Sequence, residues 1–302
     1  MGEIIVPISV GLRGDVKLIM RNVVTDEVET REMRNTIFKN YLNALFNSYY
    51  VLNNGIFRSI NGTVLIGTSD QPASRNDTGI VGTTLATKVA SSSIVATVPP
   101  TKTFTAVFPA GTGVGLVKEV VMANTARQVV SPGLDKTAQH ELTVVWTFTL
   151  SRGADSWSGT ITGGQRDGVT DVNWIATIND NQLGGMVGSG AGNYSLNPYL
   201  YVGSSNAESN LASDLGTTLK GATLFGGAPA FKEALSYVAD SFYRDYRVGL
   251  ETSQGNGSIG EAIVTLSVSA FPIGRITFTP ALDKVDTYRL YLTFRIAVVN
   301  AS

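Results

Sequence analysis

The chain reads as a mainly β protein, built of two tandem duplicated β-sandwich domains with one short helix near the N-terminus. Three observations carry this expectation. Runs such as "TFTAVF", "ELTVVWTFTL" and "YRLYLTFRIAV" alternate apolar with polar residues and are rich in Val, Ile, Thr and aromatics, the content of half-buried strands. Glycine reaches 32 copies while charged residues make up only 16%, a balance that suits many tight turns between short strands. The second half also repeats, in order, a series of short signatures from the first.

The repeat is plainest in "SPGLDKTAQHELTVVWTFTL", from Ser131, and "TPALDKVDTYRLYLTFRI", from Thr279. Both place Pro-x-Leu-Asp-Lys ahead of an alternating run that contains Thr-Phe. Upstream, "VLIGTS" at Val64 answers "LYVGSS" at Leu200, and "GTTL" begins at Gly82 and again at Gly216. Phe104 and Tyr246 each stand nine residues (113 − 104, 255 − 246) before a G-x-G-x-x-x-E, formed by Gly113, Gly115 and Glu119 and by Gly255, Gly257 and Glu261. Offsets drift from 136 (203 − 67) through 142 (255 − 113) to 148 (283 − 135), as insertions and deletions in loops between fixed strands would produce. The domains are expected at 1–150 and 151–302, with Leu134 superposing on Leu282 and Phe148 on Phe294, each in its own core. Trp146 and Phe148, two residues apart, belong on one strand face.

The elements follow in chain order. "DVKLIMRNV" and "EVETREM" predict an N-terminal hairpin turning near "VTDE". "NTIFKNYLNALFNS", from Asn35, carries Ile37, Phe38, Leu42, Leu45 and Phe46 at helical spacing and predicts the helix. In the second copy "TINDNQLGGMVGSG" takes its place, shortened and glycine-rich, so most of that helix is expected to be lost there. "LVKEVVMANT", "EAIVTLSVSAF" and "GRITFTP" read as further strands, and "FKEALSYVADSF", from Phe231, as a helix or a strand edge. A solenoid is disfavoured, since solenoid units repeat every 20–50 residues or so.

Composition narrows the function classes. The chain has no cysteine, which excludes disulfides and thiolate chemistry, and His140 is its one histidine. A net charge of −1, with both signs interspersed, provides no footprint for nucleic acid or an anionic membrane. No apolar run approaches the roughly 20 residues that span a bilayer, and the opening "MGEIIVPISVGLRGDVKL" lacks a secretory pattern, so a soluble, non-exported chain is expected.

Candidate chemistry is thin. G-x-G-x-x-x-E lacks the third glycine of a dinucleotide loop and the Gly-Lys-Ser/Thr of a P-loop, so it reads as a hairpin turn entering a strand, and no cofactor is expected. Glu119 and Glu261 would interest us as a carboxylate pair only if they faced one another; a repeated structural contact, such as binding turn amides, is the better account. His140 lies in a polar lead-in to a strand, away from any credible triad. "TSDQPASRNDTG" offers Asp70, Asn76 and Asp77 but not the regular ligand spacing of a calcium loop, so no metal is assigned. Trp157, Trp174, Tyr194, Tyr199 and Tyr201 sit in or near a glycine-rich stretch and read as anchors for a neighbouring subunit, with sugar stacking as the rival role.

The linear order of these segments resembles a family of bacteriophage virion structural proteins, particularly tail, baseplate and collar components. The hairpin "GDVKLIMRNVVTDEVETREMRNTI", the helix containing "NYLNALF", then "VLIGTSDQPASRNDTG", the G-x-G-x-x-x-E-Val segment and the closing "ELTVVWTFTL" stand in that family's order. The likeness implies a non-enzymatic virion component, assembled in the host bacterial cytoplasm, that forms a homo-oligomeric ring and contacts other phage structural proteins. Family sequences read Gly-x-Gly where this chain has Gly67-Thr68-Ser69, and the second copy has no clear Asp-Thr. A receptor-binding or glycan-binding adhesin is the alternative from another class, and a polysaccharide depolymerase ranks third.

Overall fold

A computed structural model describes residues 4–47, 56–95, 99–152, 156–164, 168–178, 199–203, 224–226, 231–252, 256–265, 272–287 and 289–300. The first half contains β1 (Ile4–Asn22), β2 (Val28–Arg34), β3 (Thr36–Ile37), α1 (Lys39–Asn47), β4 (Thr63–Gly67), β5 (Thr84–Val89), β6 (Ser91–Val95), β7 (Thr101–Phe108), β8 (Gly115–Met122), β9 (Ala126–Lys136) and β10 (His140–Arg152). The second half contains β11 (Ser156–Ile161), β12 (Val172–Ile178), β13 (Tyr199–Gly203), β14 (Leu224–Gly226), β15 (Phe231–Ala234), β16 (Tyr243–Leu250), β17 (Gly257–Thr265), β18 (Pro272–Lys284) and β19 (Leu290–Asn300). The chain is mainly β, as expected, and among the described residues α1 is its one α-helix.

Strand β1 organises the molecule. Ile4, Val6, Val10, Leu12, Val16 and Leu18 are buried, while Arg13, Asp15 and Lys17 point the other way, the period of two that a half-covered strand requires. One edge pairs antiparallel with β10 over Val10–Asn22. The other edge pairs parallel with β19 over Ile4–Leu12 and antiparallel with β2 over Asp15–Arg21. The result is an eight-stranded sheet, β15-β16-β19-β1-β10-β7-β6 with β2 alongside β1.

Two smaller sheets complete the architecture, β3-β9-β8-β4-β5 and β11-β12-β18-β17-β13-β14. Leaving out β11, they run in the same order, and their registers agree. Gly67 faces Glu119 as Gly203 faces Glu261; Gly115 faces Lys136 as Gly257 faces Lys284. Val117 faces Leu134 and Ile259 faces Leu282, each just before a register shift that ends at the glutamate. The Ser131–Pro132 and Thr279–Pro280 bonds are both cis.

Several expectations need adjusting. Leu134 and Leu282 do hold matching places, but Trp146 faces Phe104 while Phe294 faces Tyr246. Phe294 therefore corresponds to Trp146, two residues from the expected Phe148. The Thr-Phe text misleads because Phe148 lies twelve residues past Lys136 (148 − 136) and Phe294 only ten past Lys284 (294 − 284). The segment from Phe231 is strand β15 and then turn, with Leu235 N–H donating to Asp245 and positive φ at Asp240 and Phe242. The division at residue 150 falls inside β10, and β1 serves strands of both halves. Buried side chains of both halves belong to one connected apolar cluster, not to separate cores. The place of the second-copy helix, "TINDNQLGGMVGSG", lies almost wholly outside the described residues.

Helix α1 buries Tyr41, Leu42, Leu45 and Phe46. Its other contacts reach the second half: Asn43 Nδ2 donates to Asp240 at 2.8 Å, Tyr237 donates to Asn43 Oδ1 at 2.6 Å, and Arg244 donates to the Phe46 carbonyl at 2.8 Å. Lys39 pairs with Asp240 at 2.6 Å, and the rings of Phe46 and Tyr237 stack at 5.9 Å. Among the described residues no helix is long and apolar enough to cross a membrane.

Candidate functional site

The repeated signatures converge on one carboxylate. Glu119 lies within β8 with no exposed surface, opposite Gly67 at the end of β4. Its Oε1 accepts the amides of Gly82 at 2.7 Å and Ser69 at 3.2 Å; its Oε2 accepts the amide of Val81 at 3.1 Å and Arg127 Nε at 2.7 Å. A methyl group on Gly67 would lie 2.8 Å from Glu119 Oε1, and one on Gly82 would lie 2.6 Å from the Ser69 nitrogen. The glycines of "GTS" and "GTTL" therefore leave room for the loop backbone to close around the glutamate.

Arg127, also fully buried, continues the knot. Besides Glu119 it donates to Asp77 at 2.9 Å and to the Gln71 carbonyl at 2.9 Å. The loop between β4 and β5 is thus pinned from inside by a charge pair whose donors and acceptors are satisfied, the condition under which buried ions are tolerated. In the second half Arg275 Nε lies 3.5 Å from Glu261 Oε2, and both side chains are nearly inaccessible. The stretch corresponding to the first loop, with Gly216, lies outside the described residues.

The lysine that closes each Pro-x-Leu-Asp-Lys also turns inward. Lys136 donates to the carbonyls of His140 at 2.5 Å and Pro109 at 3.0 Å, while Lys284 donates to Asn256 Oδ1 at 2.8 Å and the Thr252 carbonyl at 3.3 Å. Burial pushes both ammonium groups below the ordinary lysine value, and nearby acidic residues offset part of that shift.

The remaining candidates fall into place. Glu119 and Glu261 lie in different sheets and do not form a pair. His140 opens β10, its Nδ1 within 2.8 Å of the Thr137 hydroxyl and 3.1 Å of the Thr137 amide, as a turn residue. Asp70 pairs with Lys118 of β8 at 2.8 Å and Asp77 with Arg127 of β9, so cations of the neighbouring strands occupy the loop's carboxylates. Trp174 is 8% exposed and joins the chain's own core, its ring lying against Gly159 across the β11–β12 ladder. That placement leaves it little surface for a neighbouring subunit. Trp157 is partly buried against the same core. Tyr199 and Tyr201 are backbone members of β13, opposite Thr265 and Ile263, and Tyr194 lies outside the described residues.

A cleft of about 350 Å³ opens beside α1, lined by Phe38, Tyr41, Leu45, Ser59, Asn61 and Asn124 among others. Its buried Tyr41 phenol bonds Ser59 at 3.0 Å, and burial raises its pKa. These groups lack a nucleophile and base within reach of one another, so the cleft offers shape without evident chemistry.

Sequence reasoning missed Arg127 and Arg275. Their separation, 148 (275 − 127), equals that of the Pro-x-Leu-Asp-Lys signatures, and it was the signal that could have joined them to Glu119 and Glu261. No protein-family model matches this chain, and no curated protein or solved structure matches it significantly. The fold and site define a mainly β chain whose repeated residues are buried, forming a hydrogen-bonded knot at Glu119 and Arg127 in the first half and a buried ion pair at Glu261 and Arg275 in the second.

Proposed function

We propose that the chain is a non-catalytic structural component of a bacteriophage particle, at tail, baseplate or collar, and that it assembles with itself and with other virion proteins. The observation that carries the reading is where the repeated residues go. Glu119, Arg127 and Lys136, with Glu261, Arg275 and Lys284, are all buried, and Glu119, Arg127, Lys136 and Lys284 hold loops and turns in place. A sequence that repeats its scaffold and no reactive group suits a building block. The virion assignment itself is drawn from the order of segments shared with phage structural proteins. The matching strand order and register of the smaller sheets support a tandem duplication within the chain. Such a subunit presents two similar but non-identical lobes, which lets one gene supply two kinds of contact in a symmetric assembly.

Purified particles, analysed by mass spectrometry and imaged with this chain labelled, test the proposal. Stoichiometric presence at a fixed place in the particle is expected. Absence from particles would overturn it, and specific binding of the purified chain on a glycan array would promote the adhesin.

A further inference from the structure

We propose that the free edge of β6 is an interface between two copies of this chain, which pair their Ser91–Val95 segments antiparallel about a two-fold axis at Ser93. This deepens the assembly reading, on which it rests, by naming a homotypic contact.

Strand β6 ends the eight-stranded sheet, and among the described residues its one ladder is with β7. All five of its residues are exposed, so both faces are bare as well as the outer edge. An edge strand presents a row of unpaired N–H and C=O groups, and proteins guard such rows with charges, prolines or bulges. The other outlying strands of this sheet follow that rule: β2 reads "VETREMR" and β15 "FKEA". Strand β6 reads "SSSIV", with no charge and no proline, and its register with β7 runs without a shift. Just before it Val89 is 75% exposed, and Val95 within it is 51% exposed.

A row of backbone donors and acceptors is satisfied best by another extended strand. The segment is complementary to itself. Antiparallel pairing centred on Ser93 sets Ser91 opposite Val95 and Ser92 opposite Ile94, each apolar side chain beside a small serine and no like charges in contact. A two-fold axis makes every such contact twice and closes the assembly at a dimer, joining two eight-stranded sheets edge to edge. A five-residue ladder is smaller than a standard interface, so association at about 10 μM or above is expected.

The absence of cysteine makes the test direct, because an introduced thiol is the only one in these 302 residues. Under mild oxidation Ser93→Cys should form a disulfide-linked dimer. Ser91→Cys alone should not, whereas Ser91→Cys mixed with Val95→Cys should, since a disulfide needs Cα atoms within about 7 Å. In sedimentation the double variant Ser92→Lys/Ile94→Lys, on exposed positions, should keep its unfolding midpoint and weaken the dimer roughly tenfold. A wild-type chain still monomeric at about 200 μM, a Ser93→Cys chain that crosslinks no faster than Ser91→Cys, or crosslinking of Ser93→Cys only to Lys232→Cys in β15, as head-to-tail pairing would give, overturns the proposal. The two readings fail separately. A β6-paired chain absent from particles removes the virion assignment alone, and a virion chain that does not crosslink at position 93 removes the strand pairing alone.

Discussion

Glu119 has no surface and four donors aimed at its two oxygens, three of them backbone amides. Replacing it by Gln keeps the shape but removes the nearer of the two anions on Arg127, leaving Asp77, and sets an amide NH2 against backbone N–H donors; loss of one partner from a buried pair typically costs about 3–5 kcal/mol. Denaturant unfolding of Glu119→Gln should show a loss of that order; an unchanged midpoint would mean that the knot does not hold the loop. The buried lysines make a second prediction. With Lys136 and Lys284 lowered by burial, the folded chain binds fewer protons than the unfolded chain between those lowered values and about pH 10.4. Stability should therefore rise with pH across that window, and the Lys136→Met/Lys284→Met double variant should flatten the rise. A slope unaltered by the double variant would contradict lysine burial as its cause. At this scale the sequence was partly legible. It marked Glu119, Gly82 and Lys136 as repeated, but the partner Arg127 sits in a stretch whose neighbours differ from those of Arg275, so apart from their shared offset of 148 (275 − 127) the ladder register is what joins the two.

Strand β10 shows what element-scale pattern can and cannot reveal. Its alternation put Trp146 and Phe148 on one face, and both are fully buried, with rings stacked at 6.1 Å and Phe104 meeting Phe148 edge-on at 6.1 Å. Phe148→Ala removes that packing from a dense core and should cost about 3–5 kcal/mol by denaturation midpoint. A cost below about 1 kcal/mol would place the ring outside the core. The same alternation could not fix which residue of β19 matches Phe148, because a two-residue slip preserves the facing of every side chain. The helix was legible because Phe38, Leu42, Leu45 and Phe46 share one face. Its partner was not, since Asn43, Tyr237 and Asp240 meet across almost two hundred residues of sequence, a separation of 194 for the Tyr237 hydrogen bond.

At the scale of the molecule, duplication in the text suggested two independent units, whereas the chain ties its halves together twice. Strand β1 lends Ile4–Leu12 to β19 and Val10–Asn22 to β10, and α1 of the first half docks on the turn before β16. No local pattern announces that a first strand will serve two lobes, because pairing partners are chosen by the assembled sheet. With the core continuous across the halves, calorimetry should record one unfolding transition; two well-separated transitions would contradict the shared core. We propose that this shared scaffold is a subunit of a phage particle. The contact map of the chain inside the intact particle tests it most directly. We predict a fixed, symmetric position with extensive contacts to copies of itself or to other virion proteins, and a chain absent from the particle, or present without such an interface, would contradict the account.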